Sequence, residues 1–354
     1  MHSSTSSFRR PIPEAHWPVV GLITMVLVVV FMIGWELYWR AEGYVPQYSD
    51  SRDIWASQRE RLSQGTGKET VIIGASRVRF DLDLDVWEQE TGKRPIMLGM
   101  HGTSAWPLLQ DLANDAHFSG TVVFGVTEGL LFLPSFTGPA QNAFGNIRYY
   151  KNWSPSQRFG FVLTKILEPR LAFMNGWDLN LNALIKGSLS IENRSGAMIL
   201  PDLPPLFDET HLDGRAVMWD KVVTDNAFAH RIQQIWGPLL SFGPPLGGPL
   251  LDGILDGLKR DVEKIRARGG DVVFVRLPST GGLRDLERAR WPRDAFYERL
   301  IHHTGTKGIH FEDHEALQKY PCPEWSHISG ADAVPFTRSL IEIVHQKTGL
   351  LKPG

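Results

Sequence analysis

The decapeptide VIIGASRVRF, Val71 to Phe80, decides how the chain is read. A short apolar, β-branched run stops at Gly74 and delivers Ser76. This is the pattern of a buried parallel strand whose carboxyl end opens into a turn, which is where open α/β sheets gather their sites. A serine in that turn is a candidate nucleophile. It needs a base to take its proton, a carboxylate to orient the base, and backbone N–H donors for a developing oxyanion. The plainer reading of Ser76 is a helix N-cap.

Two further strand-and-loop units follow. RPIMLGMHGTSAWPLLQDLAND (94–115) reads as a short strand, a glycine-rich turn and a helix, and SGTVVFGVTEGLLFLP (119–134) repeats the pattern of apolar strand, glycine and polar residues. Units of this kind in succession predict a parallel sheet with its loops gathered at one edge. The pattern resumes near residue 251, where Leu251, Ile254, Leu255, Leu258, Val262 and Ile265 mark one apolar helical face ended by Gly269. DVVFVRLP then reads as a buried strand, a charged helix is expected around Arg290 to His302, and GIHFEDH reads as the last strand before a terminal helix. The fold class expected is α/β, a three-layer sandwich around a central parallel sheet.

Between about residues 135 and 250 the alternation stops and Asn, Trp, Pro and Gly accumulate, which reads as a mainly helical insertion or lid. Its aromatic residues Tyr149, Tyr150, Trp153, Trp177 and Trp219 suit sugar stacking, but aromatic residues in a helical insertion more often pack, and none is assigned to a site. Residues 69–134 and 251–354 are thus the two parts of one sheet domain.

Upstream, Pro18 to Trp39 reads PVVGLITMVLVVVFMIGWELYW, uncharged from Pro18 to Trp35. At ~1.5 Å per residue, about 20 such residues cross a hydrocarbon core of about 30 Å. Trp17, Trp35, Tyr38 and Trp39 suit the two interfaces. The run is long for a cleaved signal peptide and no small-residue cleavage site follows it, so an anchor over 18–39 is expected. Arg9 and Arg10 in the tail 1–17 point to a cytoplasmic N-terminus and an extracytoplasmic body, although Arg40 and Arg52 weaken the bias. Residues 40–68 read as a polar, turn-rich tether with room for one helix. Its GTGKET is no phosphate loop, because Leu62 stands where the first glycine belongs and Glu69 replaces the Ser/Thr.

Composition narrows the function classes. The chain has 354 residues, 42% of them hydrophobic, enough for a full core. A net charge of -2 gives no electrostatic case for a nucleic-acid partner. A single cysteine, Cys322, excludes an internal disulfide and any multi-cysteine metal or iron–sulfur site. His302, His303, His310 and His314 with Glu312 and Asp313 invite a metal reading. In a strand, however, His310 and Glu312 face away from Phe311 and Asp313, so no one-sided ligand set is expected. No cofactor is called for.

The partners that Ser76 needs stand at the other end of the chain. His327 follows Glu324 by three residues, in a loop expected at the same sheet edge and just before the last helix. This arrangement resembles the SGNH (GDSL-like) hydrolase superfamily, which places a serine after the first strand and an Asp-x-x-His pair before the last helix. The resemblance covers Val71 to about Glu128 and about Asp271 to the end. It implies Ser76 as nucleophile and oxyanion donor, His327 as base, Glu324 in place of the usual Asp, and Gly102 of LGMHGTS as second-block glycine. The third block falls on Gly125-Val126-Thr127-Glu128, where Thr127 offers a hydroxyl in place of the usual asparagine amide. One oxyanion donor is worth on the order of 3 kcal/mol, so that exchange weakens hydrolysis.

An anchored SGNH-like domain resembles the partners of membrane-bound O-acyltransferases that acetylate bacterial envelope or secreted polysaccharides. The resemblance implies an acetyl group passing through Ser76 to a sugar hydroxyl, at the periplasmic face of a bacterial inner membrane, beside such a membrane protein or a polysaccharide synthesis or export complex. A carbohydrate acetylesterase with the same residues, and a non-catalytic polysaccharide-binding scaffold, remain open.

Overall fold

The computed structural model describes residues 15–176, 178–188, 203–240 and 245–351. The tail arginines Arg9 and Arg10 and the aromatic Trp177 lie outside the described residues. The apolar run forms helix α1 (Trp17–Ala41), followed by α2 (Arg52–Gln64). The first part of the sheet domain runs β1 (Thr70–Ile73), α3 (Ser76–Asp81), α4 (Leu84–Thr91), β2 (Ile96–Met97), α5 (Trp106–Asn114), β3 (Thr121–Val126) and α6 (Glu128–Leu131). An inserted region holds α7 (Gly138–Lys151), α8 (Pro155–Leu167), α9 (Leu181–Ser188), strands β4 (Asp208–Thr210) and β5 (Ala216–Met218), α10 (Asp220–Thr224) and α11 (Asn226–Leu240). The chain then returns through α12 (Gly248–Ala267), β6 (Asp271–Arg276), α13 (Gly281–Arg290), α14 (Arg299–Thr304), β7 (Lys307–His310), α15 (Glu315–Gln318) and α16 (Gly330–Thr348).

Five strands form one parallel sheet in the order β2-β1-β3-β6-β7. Successive residues of β1 serve opposite faces: Val71 and Ile73 join a core with α5 and α12, whereas Ile72 joins a core with α4 and α16. Burial on both faces is why these strands read as unbroken apolar runs. The strand order reverses between β1 and β3, so the loops leaving those strands part and form a crevice. Ser76 follows β1 at that point.

A glycine is required at the two strand ends that meet there. A β-carbon on Gly74 would lie 2.7 Å from Val78 Cγ1 and 3.3 Å from the Gly125 α-carbon, and one on Gly125 would lie 2.2 Å from the same Val78 atom. Val78 thus seats α3 directly on the ends of β1 and β3.

Four expectations need correction. The stretch 40–68 is not only a tether: α2 buries Ile54, Trp55, Ala56 and Leu62, and Trp55 Nε1 donates to the Leu98 carbonyl at 3.1 Å. The insertion is mainly helical but also carries the antiparallel ribbon β4–β5, which packs Phe207, Ala216 and Met218 against Phe80 and Phe228. The charged helix around 290–302 is divided, since α13 ends at Arg290, Pro292 follows, and a π turn (Asp294–Glu298) leads into α14. The last strand stops at His310 and Phe311–Asp313 is a 3-10 turn, so strand alternation does not govern His310 and Glu312; His310 Nδ1 lies 3.8 Å from Glu312 Oε2.

The insertion's described aromatic residues are anchored by packing and hydrogen bonds. Tyr149 and Trp153 both donate to Asp53 Oδ1 at 2.7 Å, Tyr150 shares a hydrogen bond with Ser63 at 2.6 Å, and Trp219 packs on the core beneath the ribbon. Helix α1 is long and apolar enough to cross a membrane, and none of its residues is buried.

Candidate active site

Ser76 opens α3, with Ala75 in extended conformation at the cap position. The serine hydroxyl therefore does not cap the helix. It meets His327 instead, Oγ to Nε2 at 2.8 Å, across 251 residues of sequence. On the far side of the ring, His327 Nδ1 lies 2.8 Å from Glu324 Oε1. Serine, imidazole and carboxylate form one continuous hydrogen-bonded chain at the carboxyl edge of the sheet.

The loop that carries Glu324 and His327 is shaped by Trp325, whose φ of +77° lies in the left-handed region. That reversal folds Glu324 back onto its own loop. Its carboxylate accepts the backbone N–H of His327 at 2.7 Å and of Ser326 at 3.3 Å. Trp236 of α11 donates its indole N–H to Glu324 Oε2 at 2.9 Å and to the Glu324 carbonyl at 2.6 Å. Both carboxylate oxygens are thus held, and the longer glutamate reaches the imidazole as an aspartate would. Beyond the histidine, the Ile328 N–H donates to Asp81 Oδ1 at 3.1 Å, tying the loop to the end of α3. Burial raises the Asp81 carboxyl well above the usual carboxylate range.

Phe80, one helical turn after Ser76, lies tilted over the His327 ring with centroids 4.3 Å apart, and Phe207 and Trp236 approach it edge-on at about 6 Å. His327 and Glu324 are buried, whereas Ser76 is half-buried. Burial pushes the imidazole below its ordinary value of 6.5, against the pull of the Glu324 carboxylate. A neutral imidazole beside a serine hydroxyl is the state from which a proton can be accepted.

Gly102 and Thr127 occupy the same edge. The Met100 N–H donates to the Gly74 carbonyl at 3.0 Å, pinning the loop of Gly102 to the end of β1, and Thr127 directly follows β3. Gly102 has a φ of +56°, and a β-carbon there would meet nothing within 4 Å. Among the described residues neither Gly102 nor Thr127 hydrogen-bonds to Ser76, His327 or Glu324. The structure therefore joins three of the five expected residues directly and carries the other two on loops at the same sheet edge.

Several residues at the site carry no signal in the sequence. Trp236 belongs to the insertion and nothing in its spacing marks it. Phe80 is readable only from its i, i+4 relation to Ser76. A buried charged ladder also runs under the site: Arg77 Nη2 meets Glu287 Oε1 at 2.6 Å, Glu287 pairs with Arg276, and Arg276 Nε meets Glu128 at 3.0 Å. Arg77 also donates from Nε to the Ser326 carbonyl at 3.1 Å, which bolts the ladder to the loop before His327. A signal existed in Arg276, a charge at the end of an apolar strand.

Phe80 also packs on His101, ring centroids 5.7 Å apart. His101 lines a cavity of about 190 Å³ together with Asp50, Arg79, Asn142 and Asn146. No protein-family model matches this chain, and no curated protein is significantly similar to it.

Proposed function

We propose that this chain is a membrane-anchored, SGNH-like serine acyltransferase that moves an acetyl group to a hydroxyl of a bacterial cell-envelope or secreted polysaccharide. The observation that carries the reading is the Ser76–His327–Glu324 hydrogen-bonded chain at the point where the strand order reverses. In this reading Ser76 Oγ attacks the acyl carbonyl while His327 Nε2 takes the hydroxyl proton, and the donor's leaving group departs with that proton. Glu324 holds the ring and stabilises the imidazolium. The Ser76 N–H, with Gly102 and Thr127, faces the oxyanion. A sugar hydroxyl then attacks the acyl-serine, gives its proton to His327, and the proton returns to Ser76 Oγ.

Two features favour an acceptor other than water. Phe80, Phe207 and Trp236 cover the buried imidazole, and the cavity at His101, which Ser76 itself does not line, presents Asn142 and Asn146 beside the Asp50–Arg79 ion pair to a hydroxylated ligand. The anchor α1 would hold the body at the periplasmic face of the inner membrane, within reach of a membrane-bound O-acyltransferase.

The test is acetyl release from p-nitrophenyl acetate by the full chain in detergent, with and without an oligosaccharide acceptor, against Ser76→Ala. Acetylated oligosaccharide formed only with Ser76 supports transfer. Free acetate alone, equally dependent on Ser76, replaces the reading by an esterase. Turnover that ignores Ser76 in both formats leaves the scaffold.

A further inference from the structure

Helix α8 wears its apolar face on the outside. It starts with a full capping box, Ser154 and Gln157 each bonding the other's backbone, so its position is set locally. Phe161 is its buried contact, packed by Trp153 at 6.0 Å and covered by Lys165 at 5.3 Å. Phe159, Val162, Leu163, Ile166 and Leu167 all point away from that contact and are exposed, Phe159 by 66%. With ~100° between residues they form a single stripe about 140° wide. An aqueous surface seldom carries so long a continuous apolar stripe without a partner.

The partner is indicated by where the helix ends. Just past α8, the Arg170 carbonyl accepts from Arg40 Nη2 at 3.0 Å, and the Ala172 and Phe173 N–H groups donate to Glu36 at 3.0 and 3.2 Å. Arg40 and Glu36 belong to the last turns of α1, beside Trp35, Tyr38 and Trp39, where its uncharged run stops. The stripe therefore adjoins the end of the membrane-length helix. Lys165 and Arg170, both exposed, add cationic groups that suit lipid phosphates. Trp153 on Asp53 (2.7 Å) and Arg158 on Glu60 (3.0 Å) tie α8 to α2, and so to the sheet domain.

We infer that α8 lies in the plane of the bilayer interface with its stripe among the upper acyl chains, making a second membrane contact that holds the Ser76 edge at a fixed height and tilt. This rests on the reading of α1 as an anchor. The test uses the full chain in phosphatidylcholine–phosphatidylglycerol vesicles, with an environment-sensitive fluorophore on one introduced cysteine at a time; native Cys322 is buried. Labels go on Leu163→Cys in the stripe, Val28→Cys in mid-α1, and Asp285→Cys, whose native side chain is 78% exposed on α13. With brominated lipids, the labels at 28 and 163 are expected to lose about half their emission and the label at 285 none. Adding Phe159→Asp and Ile166→Asp to the Leu163→Cys protein abolishes its quenching without lowering its thermal midpoint, since both side chains are exposed. Quenching at 28 without quenching at 163 overturns the inference and leaves the anchor standing. No quenching at either position removes the anchor, and the inference with it. Emission at 163 that ignores bromine but varies with protein density assigns the stripe to a protein partner or a second copy, which also overturns the proposal.

Discussion

Two buried polar assemblies touch at the carboxyl edge of this sheet, and they are built to opposite ends. The Arg77–Glu287–Arg276–Glu128 ladder alternates charges in a space closed to solvent, and the Arg276 and Arg77 guanidinium groups hold the Glu287 carboxyl well below its usual range despite burial. The Ser76–His327–Glu324 chain ends in a half-buried hydroxyl, carries one formal charge and keeps its imidazole neutral. In the ladder each carboxylate faces a guanidinium group. In the chain a neutral imidazole stands beside a hydroxyl that is only half-buried. Burial of polar groups therefore does not by itself mark a site; the distinguishing feature is a neutral acid–base pair with one end open.

The sharpest way to break this comparison is to cut each assembly once and read both activity and stability. Ser76→Ala is expected to lower kcat by at least about 10⁴-fold while changing stability by no more than about 1 kcal/mol, the worth of one hydrogen bond. Glu287→Gln should do the reverse. It removes the carboxylate partner of buried Arg77 and leaves Arg276 with Glu128 alone, and should cost about 3–5 kcal/mol in chemical denaturation, with kcat of the remaining folded protein falling far less. Loss of activity from both variants in proportion to unfolded fraction would erase the distinction.

Acid separates the two assemblies as well. His327 must be neutral to accept a proton, and its folded pKa lies below 6.5, so activity should persist as pH drops through 6.5 and decline about tenfold per unit only below the lowered value. The ladder responds through a carboxylate instead. Glu287 has a folded pKa below its ordinary 4.5, so its contribution to stability is present above 4.5 and is lost as pH falls through the folded value. Kinetic profiles and melting curves on one sample therefore read the imidazole and the carboxylate separately. An acid limb at or above 6.5 would contradict a buried, neutral imidazole.

Much of this geometry was legible because strands buried on both faces write themselves as apolar runs, and because Gly74 closes the first of them. Ser76 could be picked out because it stands where that run ends, and Glu324 and His327 because they lie three residues apart in the loop just before the last helix. Other features were not legible for definite reasons. The apolar residues Ile54, Trp55 and Leu62 are too few among the polar residues of α2 to outweigh its polarity, yet they seat it in the core. Helices α8 and α12 both show a one-sided apolar pattern, but α12 turns its stripe inward and α8 outward, because periodicity defines a face and not what covers it. The ladder escaped because its four charges come from positions 77, 128, 276 and 287, related only by the folded sheet.

Trp236 offers the finest cut, because it touches the chain without belonging to it. Its indole N–H partly neutralises the carboxylate that faces the imidazole. Trp236→Phe keeps the packing against His327 and removes only the donor. Glu324 then presents more of its charge to the ring, which favours imidazolium, so the acid limb of kcat/KM should move to higher pH. With one restraint on the carboxylate gone, kcat should fall about 5–10-fold, equivalent to about 1 kcal/mol, at an unchanged melting temperature. If the rate falls and the limb stays where it was, Trp236 only braces the loop. If neither changes, the two backbone N–H groups of Ser326 and His327 are enough to hold Glu324, and the insertion contributes cover to this site but no electrostatics.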